Sequence, residues 1–445
     1  RASRYWAWGH PSGNNCTKAE AVRRIKEAYV AAPVLFHNQK FDLDVAETHL
    51  GVKPPSWGRV HDTLLLAFLA DPQSVVLSLK PLAAKILGLA PEEQDAVRDW
   101  VLANVPEAKQ APKSWGAHIA KAPASVVGPY ACGDVLRTVK LFEVLHAKVI
   151  GASMVGAYNR ERQLTPVLLA MERHGVGVNL PALEKDERKF TTLLNDMIDP
   201  WIRKRLRAPE LEIDSPAQLA DAIDAAGKSA GWPLTEKGAR STSTEALEVA
   251  LKDKQLLAVL RYRAPLATSV TTFIRPWLRV ARETGGVIHT SWNQVRADYH
   301  SSGAGQGART GRLSSSPNFQ NIIKIETLET VTQIVADAKI KDLTLPPPPN
   351  VRGYVVPRKK GLVLNVRDYN QQELRILGHY EDDVLAAAYV KDPWLDMHEL
   401  ARGLVNGLLG SNYVRKPIKN LGFGLIYGMG IGKTAVQLGI DVEAA

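Results

Sequence analysis

The chain has 445 residues, 45% of them hydrophobic, and its 56 Lys and Arg outnumber its 46 Asp and Glu by 10. That length exceeds one hydrophobic core and predicts two or more domains, and ordinary apolar content excludes a largely disordered chain. The basic surplus fits either a polyanionic partner or plain solubility charge. Two distant cysteines, Cys16 and Cys132, exclude a disulfide framework and point to a reducing compartment, and no apolar run reaches transmembrane length.

In chain order, Val34–Phe36 reads as a short apolar strand that runs into His37-Asn38 and a helical pattern carrying Asp42. Residues 90–125, rich in Pro, Lys and Trp, read as a surface excursion. Tyr130 and Asp134 then stand four apart in the helical stretch PYACGDVLRTVKLFE, which puts phenol and carboxylate on one face. From Glu161 apolar residues at helical spacing run to Gly175, a helix stop. Residues 182–280 read as mostly helical, with SPAQL at 215–219 and STSTEALE at 241–248 as capped starts. Lys204, Arg205, Arg207, Lys228, Lys237 and Arg240 accumulate there. The Gly-Gly turn at 285–286 and the alternation after it predict a hairpin in a sheet. The four prolines at 346–349 predict a stiff polyproline spacer. Residues 362–366 predict a strand that delivers Asp368 to a sheet end, with Glu373 on the turn into a helix.

The stretch at 415–428, RKPIKNLGFGLIYG, carries the strongest pattern. As a helix of about 100° per residue, it places Arg415, Lys419, Phe423 and Tyr427 on one side and Ile418, Leu421 and Leu425 on the other. A face that begins cationic and ends aromatic suits a nucleoside triphosphate, with cations on phosphates and rings on sugar and base. An ordinary amphipathic helix with snorkelling cations has the same pattern.

Arg, Lys, Phe and Tyr at four-residue steps, closed by Tyr427-Gly428, resemble motif B, the nucleotide-binding fingers helix of family A DNA polymerases. Upstream, VRDYNQQELRILGHY resembles motif A of that family through Asp368, Tyr369, Gln371, Glu373, Leu374 and Arg375. HNQKFD and the Tyr130–Asp134 pair resemble the second and third motifs of the DnaQ-like 3′–5′ exonucleases. The resemblance implies an α/β multidomain protein, an RNase H-like exonuclease domain followed by a right-hand polymerase of palm, thumb and fingers. Residues 1–150 are then the exonuclease-like domain and 151–445 the polymerase. Within the latter, 182–280 are the thumb, 281–378 the palm with an insertion at 323–350, and 379–445 the fingers.

The same resemblance assigns roles. Asp368, with the Tyr369 carbonyl, holds a pair of Mg²⁺ ions for phosphoryl transfer from a deoxynucleoside triphosphate. Arg415, Lys419 and His398 contact its phosphates, Phe423 and Tyr427 meet sugar and base, and Glu373 excludes a ribose 2′-hydroxyl. Asp42 and Asp134 hold a second Mg²⁺ pair for proofreading, Tyr130 orients the attacking water, and Mn²⁺ can substitute. Asp62 reads as a helix cap and His61 as structural. TGRLSSSPNFQNI is similar to the palm segment that touches the primer-template minor groove, through Arg312, Asn318 and Gln320. Minor-groove acceptors are nearly alike in every base pair, so such contacts test pairing without reading sequence. The implied partners are primer-template DNA and deoxynucleoside triphosphates, with no membrane and an unspecified processivity or replisome partner. The implied place is the cytoplasm of a bacterium or a phage-infected host.

The chain departs from the family in two places. No Asp-x-Glu precedes Asp42, although Asp441-Val442-Glu443 has those letters at the far end. No His-Asp-Glu follows the fingers helix, and the chain's His-Asp, His61-Asp62, lies in the exonuclease-like region. Asp368 alone under-ligates a metal pair, so the expectation is that the polypeptide continues past Ala445. The nuclease either has its opening strand elsewhere or is degenerate. Three rivals stand beside this reading: a catalytically degenerate primer-template-binding protein, a nuclease without synthesis, and a P-loop ATPase built on GMGIGKT. The last fails because Tyr427 stands where the Walker pattern needs Gly.

Overall fold

The structure is a computed structural model that describes residues 3–90, 92–235, 237–296, 307–381 and 384–443. Part of the predicted hairpin, 297–306, lies outside the described residues. The chain divides into two compact units, Arg1–Val363 and Leu364–Ala445.

The first unit opens with helix α1 (Lys18–Ala31) and strand β1 (Val34–Phe36), which forms as read. Helix α2 (Gln39–Leu50) leads to β2 (Val60–Asp62), parallel to β1 with Val34 opposite Val60. Helices α3 (Thr63–Ala70), α4 (Leu79–Leu87), α5 (Glu92–Asn104), α6 (Pro106–Gln110) and α7 (Ala124–Gly151) follow. Buried Asp62 joins two of them, accepting the N–H of Asn38 (3.0 Å) and Gln39 (2.8 Å) at the start of α2 and of Leu64 (2.8 Å) in α3. Free N–H groups at helix starts need such an acceptor, so Asp62 is a cap as expected. Leu66, Phe68, Leu82, Leu141 and Leu145 form the core around it. Residues 90–125 are not the surface excursion their composition predicted. Val97, Val101, Val105, Ala108 and Ala122 build a core of their own, against which Trp100, Trp115 and Tyr130 pack. Trp there is buried area, and at helical spacing it cements α5 to its neighbours.

Helix α8 (Val155–His174) stops at Gly175, where φ is +68°. A Cβ there would lie 2.7 Å from the Val287 side chain, so the turn needs glycine for both conformation and space. The chain then enters β3 (Val176–Gly177), antiparallel to β4 (Val287–Ile288). Between them run α9 (Leu180–Thr192), α10 (Asp199–Leu206), α11 (Pro216–Ala225), α12 (Thr244–Ala250), α13 (Lys254–Thr268) and α14 (Arg275–Thr284). Ser215 and Ser243 cap α11 and α12 through the N–H groups of Gln218 and Ala246. The Gly285-Gly286 turn ends α14 and leads into β4, so it is not the hairpin turn; the antiparallel pair is β5 (Ser291–Asn293) with β6 (Ser314–Ser316).

Several cations at 182–280 are tied within the unit: Arg205 and Lys228 both donate to Asp253, and Arg240 pairs with Asp221 and Asp224. The proline run at 346–349 is not a free spacer, and the insertion at 323–350 that contains it is packed. The insertion forms α15 (Ile325–Ala338), which packs on α13 with Leu328 and Val331 buried. Tyr262 of α13 donates a hydrogen bond to the Pro346 carbonyl, and Leu343 is buried, so the proline run is held against the helical core.

The second unit is helical: α16 (Gln372–Glu381), α17 (Val384–Lys391), α18 (Met397–Leu409), α19 (Arg415–Ile426) and α20 (Ile431–Leu438). The strand predicted at 362–366 is absent, and 361–370 are exposed and irregular. A strand needs a neighbour for its backbone N–H and C=O groups, and no described strand pairs with these residues. GMGIGKT spans the turn between α19 and α20, with no strand before it, which removes the P-loop reading.

Candidate functional site

In the second unit α19 forms as read, from Arg415 in its first turn to Ile426, with Ile418 and Leu421 buried. Leu425 is the exception: it is exposed, because the small core of Ile418, Leu421 and Leu438 ends a turn earlier. The turn between α18 and α19 is fixed by one side chain. Asn406 Oδ1 accepts the N–H of Tyr413 (2.7 Å) and the Ser411 hydroxyl (3.0 Å), and its Nδ2 donates to the Tyr413 carbonyl (3.0 Å). That clamp sets how α18 lies against α19 and brings the predicted residues together.

His398, in the first turn of α18, is buried, and its ring centre lies 5.2 Å from that of Phe423. Lys419 Nζ stands 5.7 Å from the centre of the same Phe423 ring. Burial first, then the nearby Arg415 and Lys419 charges, push the His398 pKa below its usual value, so the imidazole is neutral near pH 7. Arg415 donates through Nε (3.1 Å) and Nη2 (2.7 Å) to Asp396 Oδ2. Tyr427 Oη donates to Glu373 Oε1 at 3.1 Å, which joins α16 to the end of α19. Six predicted residues thus share one side of this unit: Glu373, His398, Arg415, Lys419, Phe423 and Tyr427. The four-residue pattern marked Arg415, Lys419, Phe423 and Tyr427, and the family resemblance marked Glu373 and His398.

Sequence reading missed the residues that hold them. Gln371, with φ at +52°, accepts the N–H of Met397 (2.9 Å) and the Tyr389 hydroxyl (3.0 Å) and donates to the Leu395 carbonyl (2.8 Å). It ties the start of α16 to the approach to α18. Only its place in NQQEL marked it. Asp368 and Tyr369 stand apart in the exposed stretch before α16, and Tyr369 is 79% exposed.

In the first unit the predicted residues are engaged by neighbouring side chains or crowded by burial. Tyr130 and Asp134 share a face of α7, as their spacing required, but Lys80 fills it: Nζ donates to Asp134 Oδ2 at 3.0 Å and lies 4.0 Å over the Tyr130 ring. Arg137 Nη1 is 3.7 Å from Asp134 Oδ1, an oxygen buried without a hydrogen-bond partner. Asp42 lies on α2; desolvation in that crowded stretch, then the Asp62 carboxylate, raise its pKa. A cavity of 400 Å³ between His37, Lys40, Leu77, Thr165 and Gln294 includes none of Asp42, Tyr130 or Asp134. His61 is structural, edge-on to Phe142 and bonded through Nδ1 to the Tyr158 hydroxyl at 3.2 Å.

The minor-groove candidates mostly serve their own loop. Asn318 Oδ1 accepts the N–H of Gln320 (2.9 Å) and Asn321 (3.1 Å), and Gln320 Nε2 donates to the Leu313 carbonyl (2.9 Å). The Asn318 carbonyl accepts the Trp277 indole at 3.1 Å, which seats the loop on α14. Arg312 is exposed beside them.

The family model described as DNA polymerase family A matches residues 182–445, and that described as 3′–5′ exonuclease matches 16–150. The chain belongs to DNA polymerase family A. This family A chain is 28% identical to DNA polymerase I of Chloroflexus aurantiacus over 452 residues, covering 98% of this chain and 42% of that protein. It is 29% identical to DNA polymerase I of Pseudomonas aeruginosa, covering 91% and 40%, and 25% identical to DNA polymerase DpoZ of Vibrio phage phiVC8, covering 92% and 63%. It therefore spans about two fifths of the length of those bacterial relatives. Its fold is similar to the POL domain of Pol1 from M. smegmatis, solved in complex with DNA primer-template and dNTP, at a TM-score of 0.60 and 23% identity, covering 92% of this chain and 60% of that one.

Family A polymerase and exonuclease domains generally use divalent metals. The described residues do not form such a centre: no group of three or more His, Cys, Asp or Glu side chains converges. Asp134 is neutralised by Lys80, Asp62 is engaged by backbone N–H groups, and Asp368 is solitary.

Proposed function

We propose that this family A chain takes part in template-directed DNA synthesis, with primer-template DNA and deoxynucleoside triphosphates as its ligands. The observation that carries the reading is the cluster on α18 and α19. Arg415 and Lys419 supply charge for the triphosphate close to the start of α19, where the helix dipole also favours anions. Phe423, half-buried against His398, offers a flat apolar surface to the sugar. Glu373, fixed by Tyr427, forms a wall where a ribose 2′-hydroxyl would project, so deoxynucleotides are favoured.

Asp368 and the Tyr369 carbonyl are our candidates for the Mg²⁺ site of synthesis, and Asp42 and Asp134 for that of proofreading. A pair of ions at either place needs more ligands than these. We assign proofreading to 1–150, nucleic-acid grip to 182–280, minor-groove contact to Arg312 and, more weakly, Asn318 and Gln320, and nucleotide selection to the second unit. No described helix is long and apolar enough to cross a membrane, and the bacterial and phage relatives support action in the bacterial cytoplasm.

A second reading, primer-template binding without catalysis, draws on the pairing of Asp134 with Lys80 and the exposed, irregular stretch around Asp368. Single-nucleotide addition to a labelled primer decides between them. Synthesis predicts addition of the complementary deoxynucleotide with Mg²⁺ or Mn²⁺. Binding of the duplex with no addition of any nucleotide favours the second reading.

A further inference from the structure

Asp396 stands immediately before α18, and both of its carboxylate oxygens are engaged in different directions. Oδ1 accepts the backbone N–H groups of His398 (3.0 Å) and Glu399 (3.2 Å), capping the helix. Oδ2 accepts Nε and Nη2 of Arg415 on the neighbouring helix, at 3.1 and 2.7 Å. The surroundings are positive: Arg415, Lys419 and the N-terminal ends of α18 and α19. The nearest acidic neighbour in sequence, Glu399, is paired with Arg402. Asp396 thus ties Arg415 of α19 to the start of α18.

A guanidinium has five N–H donors in a rigid fork. Asp396 takes two of them from one edge of Arg415, and the other three keep their directions, with the side chain 45% exposed. Asp396 grips the Nε/Nη2 edge and leaves the rest of the fork open to an anion.

We propose that Asp396 is a positioning residue for the incoming nucleotide, fixing Arg415 and the backbone beneath His398 to one carboxylate so that two helices present their triphosphate contacts in register. The inference rests on the reading of α19 as the triphosphate-binding helix. A plain helix cap is the alternative, and Asn separates the two because it caps helices as well as Asp does but has no charge for Arg415.

The experiment compares wild type, Asp396→Asn, Arg415→Ala and the double variant by single-nucleotide incorporation against nucleotide concentration, with a thermal melt of each. The expected result for Asp396→Asn is an apparent nucleotide Kd raised about tenfold, the loss of one charge-assisted hydrogen-bonded pair. The maximal rate stays within about twofold and the melting temperature is unchanged. In the Arg415→Ala background the same substitution adds nothing, since the partner is already gone. An unchanged Kd in Asp396→Asn while Arg415→Ala raises it overturns the inference and leaves the reading of α19 intact. So does a tighter Kd, which would make Asp396 a competitor. An unchanged Kd in Arg415→Ala overturns both.

Discussion

Burial and nearby charge hold the His398 pKa below its usual value, so, if α19 receives a triphosphate, binding should depend on pH. Burial, Arg415 and Lys419 lower its pKa, and Asp396 opposes them more weakly. A triphosphate brought beside Arg415 and Lys419 cancels their charge and favours the imidazolium. The bound pKa then exceeds the free one, so binding takes up protons and strengthens as pH falls through that interval. Calorimetry at one pH in buffers of different ionisation heat should show net proton uptake, lost in His398→Gln. An identical proton count in the variant contradicts the placement of His398. The sequence showed that Arg415, Lys419, Phe423 and Tyr427 lie on one side of α19, because they repeat every four residues. It did not show Asp396, Gln371 and Asn406 as their supports. Their hydrogen bonds cross turns, and no local period marks such a partner.

Helix α15 shows what element patterns can and cannot convey. Residues 323–350 carry no recognisable chemistry, and their proline run predicted a spacer. Yet Leu328 and Val331 stand three apart and are buried on α13, while Gln255 Nε2 donates to the Ala338 carbonyl at 3.3 Å. The insertion is therefore part of the core of the first unit. Leu328→Ala should cost about 2–5 kcal/mol of stability, the range for a buried Leu that leaves a cavity. Urea unfolding followed by tryptophan fluorescence measures it, and a loss below about 0.5 kcal/mol, the level of a surface change, would return the insertion to the status of spacer. Helices α8, α11 and α19 were legible through different local signals: the Gly175 stop, the Ser215 cap and the four-residue apolar and polar period. The strand at 362–366 was not, since an apolar run becomes a strand only where another strand meets it, and pairing is absent from local sequence.

For the whole molecule, the excess of 10 positive charges does not translate evenly into a DNA-binding surface. Asp253 illustrates the division: burial alone would raise its pKa, but hydrogen bonds from Arg205 and Lys228 outweigh that and hold it well below the usual carboxylate range. Those two cations maintain the fold. Lys204 and Arg207 are exposed nearby at the end of α10. If this surface grips phosphate, Lys204→Ala should flatten the plot of log K for duplex binding against log salt by about 0.9, one released counterion. Lys228→Ala should leave the slope alone and lower the melting temperature. The reverse assignment of the two effects would contradict the division.

The account as a whole stands on α19 receiving the triphosphate of the incoming nucleotide, and Lys419 is its most direct probe. It is exposed, lies over the edge of the Phe423 surface and makes no ion pair among the described residues, so its removal disturbs little else. The measurement is single-nucleotide incorporation on one primer-template as a function of nucleotide concentration, for wild type and Lys419→Ala. Loss of a charge-assisted contact to phosphate predicts weaker apparent binding by about 1.5–3 kcal/mol, or roughly 10- to 100-fold in Kd. Duplex affinity should be unchanged. Superimposable concentration curves for the two proteins would contradict the claim.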